Sequence, residues 1–525
     1  MPVDQHSFII PEDQSISALV SSLQKTFSVR VQGETVYHRV FYDTFDWRLS
    51  KNGSILEVDD DGLSPRIYWQ QDKDAGLKIQ LGLRKAPRLA GDLPGGEFRQ
   101  QLQSVISVRE LLPRIRIRIK RQALAVLDEN DKVVVRLYFD VYWYSPSRLR
   151  AARVLTRRLL IKAVKGYVED YQRVEAFFVD MPLPNPLRSA PDNVLKLAQI
   201  ASGINTGDYS TSLNLRLDPF MHDDQALKMI LLRLLEILQQ NTSGCIKGRD
   251  AEFMHDYRVA LRKIRVVLKQ LNLHYPQAVS TEYRRFFSRL GKLTNPVRDL
   301  DVFLMQLESY QADFEKTVWQ QLQPLRDYLL STRAEAQNKL IEELKSSRYR
   351  QTIKQWRDHL RQSATENDVA ETPGKPVYRL ADELLREVNQ QTLKQGKTIT
   401  RNSDAETLHS LRKTFKQLRY LMEFFSSLYP AVELRVLTQS LTDIQDNLGV
   451  FNDRHFQVAM VQAFIQQSGD EEAIKASAQL IQILQQQQDE AGKNFKDSYK
   501  IYASSASQKK FNVLFVDYHQ GKMKL

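Results

Sequence analysis

The chain has 525 residues, 42% hydrophobic and 26% charged, with 75 Lys and Arg against 63 Asp and Glu, a formal net charge of +12. This excludes wholesale disorder and a small disulfide scaffold, and at roughly 100 to 200 residues per domain the length predicts about three domains. The single cysteine, Cys245, can close no intramolecular disulfide and build no Cys-based zinc site, so it reads as a buried small residue in a reducing compartment. A pI near 9.4 points to polyanions, whether nucleic acid, phosphate polymers or acidic lipid.

The N-terminus, Met1 to Ser7, has no basic region followed by an apolar run, so no secretory signal is expected and the cytoplasm is the expected location. Up to about residue 180 the chain reads mainly as strands. Arg114 to Lys120 alternates strictly, with the cations Arg114, Arg116 and Arg118 on one face and Ile115, Ile117 and Ile119 on the other. Leu77 to Arg84 alternates too. Further strands are predicted over Val36–Tyr42, Pro65–Gln70, Val133–Tyr142, Val154–Lys162 and Tyr171–Val179, with helices near Ile16–Phe27 and Gln101–Leu112. Many antiparallel strands and few helices predict an open or closed barrel. Met181 to Asp192 carries four prolines and predicts a break; 186–214 is expected to be a linker.

From there the period is helical. Ala226 to Leu238 is the most apolar segment, but Lys228, Arg233 and Glu236 interrupt it and it is too short to span a bilayer, so a core helix and no membrane partner are expected. A second polar linker, Ser363 to Pro376, separates repeats expected over 215–365 and 377–510. Phe511 to Tyr518 carries a strand signal within a C-terminal tail, 511–525.

These two segments repeat one another. His255-x-x-Arg258-x-x-x-Arg262-x-x-Arg265 recurs as His409-x-x-Arg412-x-x-x-Lys416-x-x-Arg419, an offset of 154 residues (409 − 255). The same offset carries Tyr275-Pro276 to Tyr429-Pro430 and Asp299 to Asp453. Steps of 3 and 4 keep side chains on one helix face, so His255, Arg258, Arg262, Arg265 and Lys269 form one basic stripe and His409, Arg412, Lys416 and Arg419 another. Val259, Leu261, Ile264, Leu268 and Leu271 are expected to pack inward, as are Leu411, Phe415, Leu418 and Met422.

A single basic stripe is usually a solvated helix face. Its duplication, without acidic partners one turn away, implies a counter-anion. Arginine's planar fork suits phosphate oxygens. Lys263, Lys413, Arg285 and Arg289 join the candidate polyanion site, and Arg284 and Lys292 could widen it. His255-Asp256 with Asp299 and Asp301 has the ligand types of a metal phosphohydrolase. That set is not duplicated, since Ser410 replaces Asp256 and His455 replaces Asp301, so the favoured roles are phosphate contact for the histidines and capping or arginine pairing for Asp299 and Asp453.

On these residues the helical half resembles the CHAD family over about 215–500. The motifs are His255 to Arg265, His409 to Arg419, Arg298-Asp299-Leu300-Asp301-Val302 and Leu448-Gly449-x-x-Asn452-Asp453. The resemblance implies two pseudo-symmetric four-helix bundles that bind inorganic polyphosphate along a basic surface, with a weaker grip at Lys416 and Gln417, where the second copy departs from the pattern. The N-terminal part resembles a CYTH domain, an antiparallel triphosphate tunnel, through Phe41-Tyr42-Asp43-Thr44-x-Asp46-x-x-Leu49 and Arg114-x-Arg116-x-Arg118. The family's opening Glu-x-Glu-x-Lys is missing from Val3 to Ile10. Glu57 and Asp59 stand where it has arginines, and Thr156 to Lys162 lacks its metal-binding carboxylates.

The expectation is therefore an α+β chain, a tunnel-like antiparallel domain over 1–185 followed by two tandem helical bundles. It binds polyphosphate without catalysis and uses no cofactor or metal, and polyphosphate granules are a point of association. Lys78, Arg114, Arg116 and Arg118 are the candidate basic residues of the tunnel. The alternatives are a metal-dependent triphosphatase using Glu97, Asp140, Glu169 or Glu175, and nucleic-acid binding. The latter is less favoured because only Tyr257 and Tyr420 offer aromatic interleaving.

Overall fold

In a computed structural model, the described residues are 5–62, 65–71, 79–82, 85–146, 151–183, 186–190, 193–270, 277–362, 375–400 and 403–519. The chain divides into two compact units, Met1–Tyr209 and Ser210–Leu525.

In the first unit, alternation builds strands β1 (Gln5–Ile9), β2 (Val29–Asp43), β3 (Ser54–Asp60), β4 (Arg66–Gln71), β5 (Ile79–Gly82), β6 (Leu112–Leu127), β7 (Val133–Tyr144), β8 (Arg153–Ala163) and β9 (Arg188–Ser189). Between them run helices α1 (Ile16–Thr26), α2 (Arg48–Lys51), α3 (Glu97–Ile106), α4 (Val168–Val179) and α5 (Val194–Ser202). All pairings are antiparallel, in the order β5-β4-β3-β2-β6-β7-β8-β1-β9. Among the described residues the two edge strands do not pair, so the sheet is open.

One sheet face carries Phe8, Leu124, Leu137, Phe139, Leu159 and Ile161 beneath α1 and α4, with Leu56, Val58, Ile67 and Trp69 beneath α3. On the other face Tyr37, Phe41, Ile115, Ile117, Ile119 and Tyr142 meet Val194 and Ala198 of α5. A fully buried isoleucine contributes about 1.5–3 kcal/mol, so α5 covers the isoleucine face of β6 and not its arginine face. Helix α5 lies within the stretch expected to be a linker. Tyr171–Val179, expected as a strand, is helical: Glu169 and Asp170 occupy the first turn of α4, and Tyr171, Val174 and Phe178 fall on one buried side.

The second unit is helical: α6 (Asp223–Lys247), α7 (Ala251–Gln270), α8 (Gln277–Ser309), α9 (Lys316–Gln321), α10 (Gln323–Lys345), α11 (Ser347–Arg361), α12 (Val377–Lys397), α13 (Ala405–Phe424), α14 (Ala431–Gln467), α15 (Glu471–Tyr502) and α16 (Ser505–Asn512). The 154-residue offset carries the starts of α6, α7 and α8 onto those of α12, α13 and α14 (377 − 223, 405 − 251, 431 − 277). Helices α6, α7, α8 and α10 pack as one bundle and α12, α13, α14 and α15 as the next. A shared core joins them: Leu300, Phe303 and Leu307 of α8 with Leu325 and Leu329 of α10 meet Val458 and Val461 of α14 and Leu480 and Leu484 of α15.

Ala226 to Leu238 is the core of α6, and no helix among the described residues is long and apolar enough to cross a membrane. Cys245 is buried. The strand signal at Phe511–Tyr518 is overturned. It forms the end of α16 and a π-helical turn over Val513–Asp517, with Phe511, Leu514 and Phe515 buried. This segment packs on α12. Lys78, Leu271 and Tyr275-Pro276 lie outside the described residues.

Candidate functional site

Both basic stripes open onto one groove in the second unit, with a volume of about 1030 Å³. From α7 come His255, Arg258, Arg262, Arg265 and Lys269; from α13 come His409, Arg412, Lys413, Lys416 and Arg419. Helix α8 adds Arg284, Arg285 and Arg298, and the groove's two carboxylates are Asp299 and Asp453. Leu261, Ile264, Leu268, Leu411, Phe415, Leu418 and Met422 are buried, as helical spacing predicts. Val259, expected in the core, lines the groove instead.

The two repeats hold their central arginines alike. Arg258 Nη2 lies 3.8 Å from Asp299 Oδ1, and Arg412 Nη2 lies 3.7 Å from Asp453 Oδ1, so of the two expected roles the aspartates take arginine pairing. Arg258 Nη1 donates to the Thr294 carbonyl at 2.8 Å. The Nε groups of Arg258, Arg262 and Arg412 are buried without a hydrogen-bond partner. A buried charged donor left unmade is costly.

The second motif can be read atom by atom. Asn452 Nδ2 donates to the Leu448 carbonyl at 2.7 Å, which fixes the amide so that Oδ1 faces His409 Nδ1 at 2.6 Å. That bond places the proton of neutral His409 on Nδ1. A Cβ at Gly449 would stand 3.5 Å from Arg412 Nη2, an ordinary contact, so the glycine is not required for the arginine's placement. The Asn and Asp of the motif thus position one histidine and one arginine. In the first repeat, position 298 holds Arg where 452 holds Asn, adding a cation to the groove.

Crowded cations resist their own charge. Burial and then Arg262 and Arg412 push Lys416 down to about 6. Burial lowers Arg258 to about 10, Arg262, Arg298 and Arg412 acting the same way against Asp299. His409 is lowered, chiefly by burial, and Asp299 is raised by burial and by Asp453. An anion in the groove would relieve every one of these cationic shifts.

Other expected residues lie elsewhere. Lys263 is buried on the far side of α7, its Nζ 2.5 Å from Glu423 Oε1. Arg289 turns from the groove to Glu343 Oε1, at 2.5 Å. Asp301 accepts from Arg333 Nε at 2.9 Å and Asp256 is buried, so neither joins His255 in the groove. Tyr257 is fully buried; Tyr420 lines the groove but is only 2% exposed. Arg298 was missed as a site residue. Its signal was the spacing of Arg284, Ser288, Asn295, Arg298 and Val302 along one face of α8.

In the first unit, Arg116 and Arg118 are exposed on the sheet face opposite Tyr37 and Ile117, and Arg114 packs over the Trp47 ring at 3.8 Å. The α5-covered face carries a different set of charges. Arg39 bonds both carboxylate oxygens of its cross-strand partner Asp59, at 2.6 and 2.8 Å, and lies 3.2 Å from Glu57. Arg121 does the same to Asp140 at 2.7 and 2.6 Å. The two carboxylates found in place of arginines thus share the Arg39 guanidinium within the sheet. Glu175 pairs with His6 and Glu97 accepts from Gln101, away from Asp140. The segment from Phe41 to Leu49 acts as a structural turn, with Asp43 accepting from the backbone of Thr44, Leu49 and Ser50.

The spacing, the duplication and the convergence of the stripes agree with the family comparison. Residues 229–462 are a CHAD domain. The chain is also similar to the crystal structure of the CHAD domain from the plant Ricinus communis, at 24% identity and TM-score 0.47, over 57% of this chain and 96% of that one. Its N-terminal part is similar to a putative adenylate cyclase from Bacillus halodurans, at 16% identity and TM-score 0.26, over 36% of this chain and 95% of that one. It is likewise similar to a putative adenylyl cyclase from Hippeastrum described as having a dominant triphosphatase activity, at 13% identity and TM-score 0.27, over 39% and 99%. No curated protein matches this chain.

Proposed function

We propose that the CHAD groove binds inorganic polyphosphate without cleaving it. The observation that carries this reading is the convergence of two duplicated arginine stripes on one groove. A flexible chain of phosphates offers oxygens at every step and needs no aromatic platform. Single-stranded nucleic acid would need exposed rings for its bases, and the groove's tyrosine is buried. The proposed setting is the cytoplasm and its polyphosphate granules.

Arg258, Arg262, Arg265, Arg412, Lys416 and Arg419 supply six contacts, and at about −0.7 per neutralised phosphate the log–log salt slope is roughly −4. Affinity for long-chain polyphosphate, tripolyphosphate and single-stranded DNA at matched ionic strength tests this. Reversing Arg258 and Arg262 to Glu is expected to flatten the slope and weaken polyphosphate binding with the fold intact. Unchanged affinity and slope would sink the reading, and tighter binding of DNA would redirect it.

The first unit is proposed to be non-catalytic. What supports this is that Glu57, Asp59 and Asp140 are already committed to Arg39 and Arg121, and a divalent ion bridging phosphates needs free hard oxygen ligands. Chelator-sensitive phosphate release from tripolyphosphate with Mg²⁺ or Mn²⁺, well above background, would overturn it.

A further inference from the structure

Beside the groove, α8 and the start of α11 border a second cavity of about 680 Å³, lined by Thr281, Glu282, Arg285, Phe286, Arg289, Arg348 and Thr352. Thr281 and Arg285 line both depressions, so one helix edge separates them. Arg289, which failed to reach the groove, points here, and its Nε is buried without a partner although its Nη2 holds Glu343. Arg285 and Arg348 make no ion pair among the described residues. Across the cavity three arginines face one lining carboxylate, Glu282.

The placement of Arg348 is informative. It sits in the first turn of α11, a 15-residue helix with no acidic residue in that turn. The positive end of a helix dipole favours anions and disfavours cations. Arg348 therefore stands where the helix end disfavours a cation, and where a bound anion would be favoured by its side chain and the helix end together.

We infer that this cavity is a second anion subsite, which receives the part of a polyphosphate chain that leaves the groove over Arg285. The inference rests on the polyphosphate reading of the groove. It gives the protein a means of grading chains by length: a ligand filling only the groove gains nothing from Arg348, whereas one long enough to cross the edge gains further contacts.

The test uses the full chain with tripolyphosphate and with polyphosphate on the order of a hundred phosphates long, comparing wild type with Arg348→Glu and Arg348→Lys. Arg348 is exposed, so the fold should survive, and thermal unfolding checks that. For long chains, Arg348→Glu is expected to weaken binding by about 10-fold and to flatten the salt slope by about 0.7, with Arg348→Lys close to wild type. Tripolyphosphate binding should stay the same in all three. Equal loss for both ligands, or loss for neither, would refute the subsite while leaving the groove reading in place. If long chains bind wild type but are indifferent to Arg258→Glu, the groove reading falls and takes the subsite with it.

Discussion

Arg258 and Asp299 face each other at 3.8 Å, too far for a hydrogen bond, and their counterparts 154 residues on, Arg412 and Asp453, stand at 3.7 Å. At this separation the carboxylates steady the guanidinium groups by Coulomb attraction without occupying the forks. The guanidinium forks are held charged yet open, at the cost of placing two negative charges in a groove proposed to take an anion.

It follows that Asp299→Asn should bind polyphosphate more tightly, about 3- to 10-fold, since both carboxylates are more than a third exposed and their repulsion is screened. Without ligand the variant should melt no lower, because burial and Asp453 outweigh the attraction of Arg258, Arg262 and Arg412 for that charge. A thermal shift with and without polyphosphate reads both effects. Weaker binding by Asp299→Asn would mean that the aspartate orients Arg258 more than it repels the ligand.

Gly291 gives a prediction whose two effects have opposite signs. A Cβ there would lie 2.9 Å from Arg265 Nη1, whereas one at Gly449 would stand 3.5 Å from Arg412 Nη2, an ordinary contact. Alanine in a helix interior is favoured over glycine by roughly 0.5–1 kcal/mol. Gly291→Ala should therefore stabilise α8 while displacing the Arg265 guanidinium, and lose affinity a few-fold. Gly449→Ala should gain stability with affinity unchanged. Denaturant unfolding and binding titrations of the two variants separate the effects, and equal affinity loss in both would contradict the geometry.

The stripes were legible because steps of 3 and 4 define a helix face and because duplication marked that face as more than solvated surface. Lys263 and Arg289 were misplaced for want of their partners: Glu423 is 160 residues from Lys263 and Glu343 is 54 from Arg289, and no local spacing reveals either. Phe511 to Tyr518 reads as a strand from its aromatic and β-branched residues, yet Phe511, Leu514 and Phe515 bury on one helical side, so tertiary packing overrode local propensity. In β6 the alternation was evident, but which face turns toward α5 depends on Val194 and Ala198, distant in sequence.

In the first unit, Arg39 pairs with both Glu57 and Asp59. Removing one partner of a buried ion pair costs about 3–5 kcal/mol, because the charges left behind are unpaired. Arg39→Met is expected to destabilise that unit by this order in urea titrations, with polyphosphate binding by the CHAD domain unaffected. The double variant Glu57→Gln, Asp59→Asn should recover part of the loss. A neutral effect of Arg39→Met would show that water satisfies the carboxylates.

The last prediction concerns protons. Lys416, which replaces the arginine found at 262 in the first repeat, is pushed down to about 6 in the folded chain from its ordinary 10.5. Its depressed value means that the unfolded chain holds more protons between these limits, so ligand-free stability should rise with pH across that window. Binding works in the opposite direction. Burial lowers Lys416 most, and a polyanion both cancels the repulsion from Arg262 and Arg412 and gives the buried amine a counter-charge, so at pH 8 the complex should take up part of a proton. Affinity should then fall as pH rises above about 6 and level off below it, where Lys416 is already charged. Calorimetry in buffers of different ionisation enthalpy counts that proton directly at pH 8, above the titration of terminal phosphates. Lys416→Arg, charged throughout and equipped with the fork, should bind at pH 8 with no proton uptake and at least wild-type affinity. Uptake that persists unchanged in Lys416→Arg would assign the proton to another group, with His409, also lowered in the empty groove, the next to be substituted.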